Sequence, residues 1–278
     1  MVASIGLIAA LFASRSDLFL AIAGQLRGSS GRQFQTTVWV TNLSAQSTSV
    51  QATFLERHPL KSPPPSVAIG LAPGETKEIP DLPVQLQRLG VSGAIRFQSD
   101  TPIAVSARIF SAPEETGMHF NAEPRDAGLR KGDEALLQGV NYNGVVRQRT
   151  FLVETSGRPA GVIVWLRDSQ GKEIAHDSFL IEPYEQRSVP IAELAHNTFF
   201  RNGSIVVRAT GGSGCVLVSG VQVPAANSDG YFVEMTVTRA RDRIGMSNAE
   251  VAIYALTALV VIAAVLLDFY NRKRRQAG

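Results

Sequence analysis

The chain has 278 residues, 45% of them hydrophobic and 18% charged, with 27 Lys and Arg against 24 Asp and Glu and one cysteine, Cys215. A single cysteine excludes an intrachain disulfide framework, which points away from secreted eukaryotic sandwiches and toward a bacterial envelope protein that relies on core size. Setting aside Arg15 and the tail residues Arg272, Lys273, Arg274 and Arg275 leaves 22 basic residues, and setting aside Asp268 leaves 23 acidic ones. The body is therefore near neutral, the high pI belongs to the tail, and no electrostatic footprint for nucleic acid remains.

Residues 1–16 begin with an apolar stretch, MVASIGLIAALFA, which reads as the hydrophobic region of a secretory signal; a buried first strand is the alternative. From Phe34 to Asn42, Phe34, Val38 and Val40 share one parity, and Gln35, Thr37 and Thr41 share the other. Val50, Ala52 and Phe54 alternate with Gln51 and Thr53. This period of two predicts pleated strands with one buried face. Turn residues punctuate the chain at short intervals, as in Ser62-Pro63-Pro64-Pro65, Ala72-Pro73-Gly74, Ser169-Gln170-Gly171 and Gly211-Gly212-Ser213-Gly214. Helical period is confined to Pro83–Leu89 and Ile191–His196, expected as short turns, and to the C-terminal apolar run.

That run, Val251 to Leu267, carries no charge. At 1.5 Å per residue it spans about 25 Å, and its flanks bring it near the hydrocarbon thickness of a bilayer. Tyr254 and Tyr270 stand near its ends, and Arg272 to Arg275 follow as a stop-transfer cluster. The expected topology has one span at 249–270, a cytoplasmic tail at 271–278, and everything before a stalk at 239–248 outside. A processed sorting signal is the alternative reading of the same segment.

Self-comparison shows a faint repeat. Thr37 to Thr41 matches Thr150 to Glu154 at an offset of 113, Phe54 to Arg57 matches Trp165 to Asp168 at 111, and Leu71 to Glu75 matches Ile181 to Glu185 at 110. Gly93-Ala94-Ile95 matches Gly203-Ser204-Ile205 at 110, Val105-Ser106 matches Val218-Ser219 at 113, and Met118 to Phe120 falls opposite Gly230 to Phe232 at 112. The ordered set predicts an all-β fold of two tandem immunoglobulin-like antiparallel β-sandwiches, at 17–126 and 133–238, joined by a link at 127–132 and followed by the membrane helix.

The blocks Trp39-Val40-Thr41-Asn42-Leu43-Ser44, Leu71-Ala72-Pro73-Gly74-Glu75-Thr76 and Ser92-Gly93-Ala94-Ile95-Arg96 resemble the W-x-x-N-x-S, L-x-P-G-E/Q-T and G-A/S-L/I-x-V/I blocks of uncharacterised bacterial secreted proteins with tandem immunoglobulin-like repeats. The resemblance covers about Asp17 to Thr238 and implies a cell-surface or periplasmic module without known catalytic residues. The second repeat departs from the pattern: Leu152 stands in place of the tryptophan, and Pro183-Tyr184-Glu185 in place of Pro-Gly-Glu.

Chemistry-bearing motifs are scarce. His58, His119, His176 and His196 lack metal-type spacing, and Gly212-Ser213-Gly214 makes neither a nucleophile elbow nor a phosphate loop. Cys215, before Val216-Leu217-Val218, reads as a small buried residue. Glu114-Glu115 and Asp133-Glu134 are expected to be solvated edge residues, because neighbours in an extended chain point apart. Asn42-Leu43-Ser44 and Asn202-Gly203-Ser204 fit the glycosylation pattern, a motif short enough to arise by chance.

Parity turns Trp39 outward between Thr37 and Thr41, with Val38 and Val40 facing the core like Phe151 and Val153 in the repeat match. Trp39, Thr37 and Thr41 are therefore the expected interaction surface for an envelope protein or glycan, unless a neighbouring loop or the other sandwich covers the ring. The expectation is a single-pass, non-enzymatic interaction or scaffold protein of the bacterial envelope, with no cofactor and no nucleic-acid partner. The alternatives are an accessory or catalytic domain acting on envelope polymers and a periplasmic chaperone that binds by strand addition.

Overall fold

The computed structural model describes residues 15–27, 33–56, 63–112, 116–143, 146–224, 231–233 and 236–240. The apolar N-terminal stretch up to residue 14, the expected span at 249–270 and the basic tail with Arg272, Lys273, Arg274 and Arg275 lie outside these residues. Among the described residues no helix is long and apolar enough to cross a membrane.

The described chain is all-β. In the first half the elements are β1 (Ser16–Gly24), β2 (Leu26–Arg27), β3 (Gln33–Asn42), β4 (Thr48–Glu56), β5 (Ser66–Leu71), β6 (Thr76–Ile79), α1 (Leu82–Gln85), β7 (Ser92–Ser99), β8 (Ile103–Ala112), β9 (Thr116–Asn121) and β10 (Glu123–Pro124). The second half has β11 (Glu134–Tyr142), β12 (Val146–Glu154), β13 (Ala160–Arg167), β14 (Glu173–Ile181), β15 (Gln186–Pro190), α2 (Ile191–Leu194), β16 (Phe200–Gly212), β17 (Val216–Pro224), β18 (Tyr231–Val233) and β19 (Thr236–Thr238).

Four antiparallel sheets result. The first half has a back sheet ordered β10-β1-β7-β4-β5 and a front sheet ordered β2-β3-β8-β9, with β6 also paired to β3. The second half repeats this plan, with a back sheet β14-β13-β16-β11-β19 and a front sheet β15-β12-β17-β18. Each single-turn helix, α1 or α2, sits between the same two strands of its half. Residues up to Val237 cluster as one compact unit, and Thr238 begins a second.

Strand pairing together with the facing of each pair gives the registry between the halves. Val40 pairs with Val105 in the first half's core, and Leu152 pairs with Val218 on the side that meets the second half's own core, so Val40 corresponds to Leu152. Phe54 pairs with Ile95, and Leu166 with Ile205, so Phe54 corresponds to Leu166. The offset is thus 112 in both places, where self-comparison had matched residues at 113 and 111. In pleated strands a slip of one residue exchanges the faces. Leu152 and Leu166 point into the second half's own core, whereas Phe151, Val153 and Trp165 lie on outer faces. The expectation that Phe151 and Val153 face inward like Val38 and Val40 is corrected accordingly.

The same correspondence places Thr150 opposite Val38. Both are fully buried, but Thr150 Oγ1 has no hydrogen-bond partner among the described residues. Burying an unmatched hydroxyl costs about 1–3 kcal/mol. Thr150→Val, which installs the residue the first half uses, should raise the unfolding free energy by about 1 kcal/mol in denaturant titration.

Asp81 caps the entry to α1 with a left-handed backbone (φ 47°) and accepts a 2.9 Å hydrogen bond from Gln25 Nε2. Desolvation raises its pKa above the ordinary 3.8, against the lowering effect of hydrogen bonds from the Thr36 backbone and Gln25. A raised folded-state pKa favours the neutral acid. Its stabilising contribution is complete below 3.8 and is lost as pH rises through the elevated value. Asp81→Asn keeps a residue tolerant of positive φ and removes the charge. The variant should melt above the parent at pH 7, and the difference should shrink below about pH 4.

Candidate interaction surface

The sequence marks Trp39 as outward, and the pairing shows why. On β3, Val38 and Val40 are fully buried, and Trp39 projects from the opposite face, opposite Ser106 of β8 and Glu78 of β6. The indole is half-buried, and its ring centroid lies 6.0 Å from that of His119 on β9, at 36°. Thr41 Oγ1 is 2.9 Å from Thr76 Oγ1. Thr37, opposite Arg108, is buried at 6% exposure. Arg108 lies over the Phe110 ring, 5.4 Å from its centroid. Ala104, His119, Asn121, Thr76 and Glu78 are exposed on this face. The structure thus brings Trp39 and Thr41 together on a polar face edged by two aromatic rings, while Thr37 is mostly covered.

The matching face of the second half is built from different residues. By the strand registry, Trp39 corresponds to Phe151, Thr41 to Val153, Ala104 to Leu217 and Arg108 to Val221. All four of these second-half residues are buried, at 6%, 0%, 5% and 8% exposure, and they belong to the first half's hydrophobic core. The first half covers them with the outer side of its back sheet. Arg96, on that side, lies 5.6 Å from the Phe19 ring centroid and 4.7 Å from that of Tyr184 in the second half. Asp17 clamps the same guanidinium through two hydrogen bonds of 2.7 and 2.8 Å. Desolvation opposes the Arg96 charge, but the hydrogen bonds and charge of Asp17 outweigh it, and the pKa moves up. Gln186 Nε2 donates to Ala21 O at 3.2 Å, and Arg125 Nη2 donates to Ser156 O at 2.9 Å. Nothing in the sequence motifs announced this junction. The signal available was the absence of alternation in Phe151-Leu152-Val153 and Val216-Leu217-Val218, which marks strands buried on both faces.

The family-like blocks are turn devices. Asn42 is fully buried. Its Oδ1 accepts from Ser44 N and Oγ at 3.0 and 2.8 Å, and its Nδ2 donates to Gln46 O and Ala72 O at 2.7 and 2.9 Å. That amide nitrogen is committed to the fold, so this glycosylation motif is not presented for modification. At the corresponding place Glu154, also fully buried, accepts from Ser156 N (2.7 Å), Ser156 Oγ (2.6 Å), Gly157 N (2.8 Å), Tyr184 N (3.1 Å) and Cys215 N (3.1 Å).

The Pro-Gly-Glu turn keeps its geometry despite the departure in the second half. Ala72 N donates to Glu75 Oε2 at 2.6 Å and Glu182 N donates to Glu185 Oε2 at 2.8 Å; Gly74 has φ 68° and Tyr184 φ 58°. Asp133, expected as a solvated edge residue, is buried at 6%, with Oδ2 accepting from Arg130 N at 3.0 Å. Its neighbour Glu134 pairs with Arg208. Glu114 and Glu115 lie outside the described residues. Cys215 is buried at 4%, with Sγ 3.4 Å from Arg125 O.

Among the described residues, clefts open beside β9 and beside β14 and β15. One of about 400 Å³ lies between β9 and β17 and is lined by His119, Asn121, Leu129 and Ser219 among others. The other, of about 590 Å³, is lined by His176, Asp177, Arg187, Glu193 and His196. The His176 ring nitrogen Nδ1 is engaged with Glu173 at 2.7 Å. No group of three or more metal-ligating side chains occurs among the described residues.

No family model matches the chain. No curated protein matches it either. Among solved structures, protein 1070 of Thermotoga maritima aligns with 39% of this chain and 92% of its own at 12% identity, with a TM-score of 0.32. A lectin from Pleurotus ostreatus in complex with GalNAc aligns over 82% of each chain at 13% identity, with a TM-score of 0.22. At these TM-scores neither likeness bears on fold or function.

Glu154→Gln places an amide NH₂ among five donors and removes charge-assisted bonds. It should lower the unfolding free energy by about 2 kcal/mol. The measurement is chemical denaturation followed by far-ultraviolet circular dichroism.

Proposed function

We propose that the chain is a membrane-anchored protein of the bacterial envelope, with two tandem immunoglobulin-like β-sandwiches displayed outside the membrane as a non-enzymatic interaction or scaffold module. The observation that carries this reading is the junction. The halves share a hydrophobic core in which Phe151, Val153, Leu217 and Val221 of the second half are buried with the first. Two blocks held in this way behave as one stiff body, and a stiff body with exposed sheet faces suits presentation more than turnover. The Trp39 face supports the same reading, because a half-buried indole flanked by threonine, histidine and arginine offers both apolar area and hydrogen bonds to a protein or glycan. The uncharged run 251–267 with the basic residues 272–275 behind it supports the anchor and its orientation.

Topology provides the test. With an epitope tag after Gly278, protease added to spheroplasts should digest the sandwiches and leave the tag protected in a fragment of a few kilodaltons. Loss of the tag with intact sandwiches would overturn the orientation, and release of the whole chain by carbonate extraction would overturn the anchor.

A further inference from the structure

Within this chain one half already recognises the other in a defined way: the outer side of a back sheet lies on the outer side of a front sheet. The first half supplies the back, with Phe19 and Arg96, and the second half supplies the front, with Phe151, Val153, Leu217 and Val221. This contact is heterologous, since two different faces meet. Among the described residues it leaves one face of each kind uncovered by the other half, apart from the β9 edge of the first front, where His119 and Asn121 line a cleft with Ser219 and Val237.

The remaining front is the Trp39 face of the first half. The remaining back is the outer side of the β14-β13-β16-β11 sheet. Parity places Leu136, Trp165, Ile163, Val206 and Leu180 there; Leu180 is 57% exposed and Trp165 is half-buried. Arg208 lies over the Trp165 ring at 5.6 Å and pairs with Glu134. By registry Leu136 stands where Phe19 does in the first half, and Val206 where Arg96 does. Val206 is buried at 8%, and Gln138, Arg167, His176 and Ser204 share the face, so Leu180, Trp165, Leu136 and Ile163 stand there as apolar anchors within a polar frame, the make-up of a reversible interface. The chain has two tryptophans, and one lies on each of these two faces.

We infer that a second copy of this chain docks on the Trp39 face through its own Trp165 face, so that copies stack head to tail with the front-on-back geometry the halves use internally. This rests on reading the exported region as an interaction module and names its partner. The occupant follows from the structure: the corresponding front is occupied by a back sheet of the same plan, and each copy carries one more such back. The free pair is more polar than the internal pair, with Thr41, Ala104 and Arg108 in place of Val153, Leu217 and Val221, so the contact between copies is the weaker and reversible one. A heterologous contact does not close on itself in a dimer; it extends.

The test uses the full-length chain in detergent micelles, followed by sedimentation velocity between about 1 and 100 micromolar, the weak end of interface affinities. The parent should give a concentration-dependent series of dimers and larger species, with tryptophan emission shifting to the blue. Ser106→Arg blocks the front and Ser204→Arg blocks the back; both positions are partly exposed. Each variant alone should remain monomeric at the parent's melting temperature, and an equimolar mixture should form dimers and nothing larger. Trp39→Ala and Leu136→Ala remove contact area without adding bulk and should weaken association at least tenfold.

A parent that stays monomeric throughout, or single variants that associate like the parent, would overturn the proposal. So would a mixture that stays monomeric, because only unlike faces regenerate a contact on mixing. Failure here leaves the protease-protection result untouched, so the anchor and the mode of association are judged separately.

Discussion

The arrangement depends on one contact, the seating of the first half's back sheet on the second half's front. Burying an aromatic and three aliphatic side chains there contributes about 1.5–3 kcal/mol for each side chain fully covered. Hydrophobic area alone does not orient two pleated faces, since it is indifferent to direction. Orientation comes from Arg96, held by Asp17 and lying over the rings of Phe19 and Tyr184. A guanidinium is planar and presents its donors in a fixed fork, so two hydrogen bonds and two rings leave it little freedom. Gln186 reaching the backbone of Ala21 adds a directional bond from the other sheet.

The turns near this contact show how polar groups are buried without penalty. Glu154 would be a liability in an apolar junction, but five donors converge on it, three of them from the turn that follows β12. It ties together three chain segments: its own turn, the Tyr184 turn and the entry to β17. Asn42 does the corresponding work in the first half with both donor and acceptor atoms. The choice between amide and carboxylate follows from the partners. Asn42 faces carbonyl oxygens as well as N–H and O–H groups, which needs a side chain of both kinds, whereas Glu154 faces donors only.

Much of this was legible in the residues. The alternation in β3 and β4 gave correct faces for Val38, Trp39, Val40, Ala52 and Phe54, because the alternate positions of these strands, among them Thr37, Thr41, Gln51 and Thr53, carry polar residues. The short helices were visible at Pro83–Leu89 and Ile191–His196, and the observed turns, Leu82–Gln85 and Ile191–Leu194, are their first turns or close to them. The facing of Phe151 and Trp165 was not legible. Phe151-Leu152-Val153 is apolar on both parities because one side meets the core of its own half and the other meets the first half. An uninterrupted apolar triplet fits an alignment equally well when shifted by one. Trp165 invited the same error, since a tryptophan next to a leucine looks like the better core residue, yet Leu166 is the one buried. The burial of Asp133 was hidden for another reason: its partner is the backbone of Arg130, and sequence patterns do not display backbone donors.

The differences between the halves fall in a pattern. Where the first half has Trp39, Thr41, Ala104 and Arg108, the second has Phe151, Val153, Leu217 and Val221; where the first turn has Gly74, the second has Tyr184. A non-glycine residue with φ near 58° carries a backbone cost of about 1–2 kcal/mol, so a tyrosine at that place calls for a local reason. Its ring supplies one, as a surface under the Arg96 guanidinium, worth about 2 kcal/mol when desolvated. Apart from the exchange of Trp39 for Phe151, each of these differences adds apolar area or an aromatic surface to the second front, where the first half rests. The first front, with its threonines, arginine and histidine around a single indole, has the composition of a surface that meets water for part of the time. Two faces of one plan thus carry the polarity their neighbours require: the second is apolar where the first half covers it, and the first is polar where it is partly exposed.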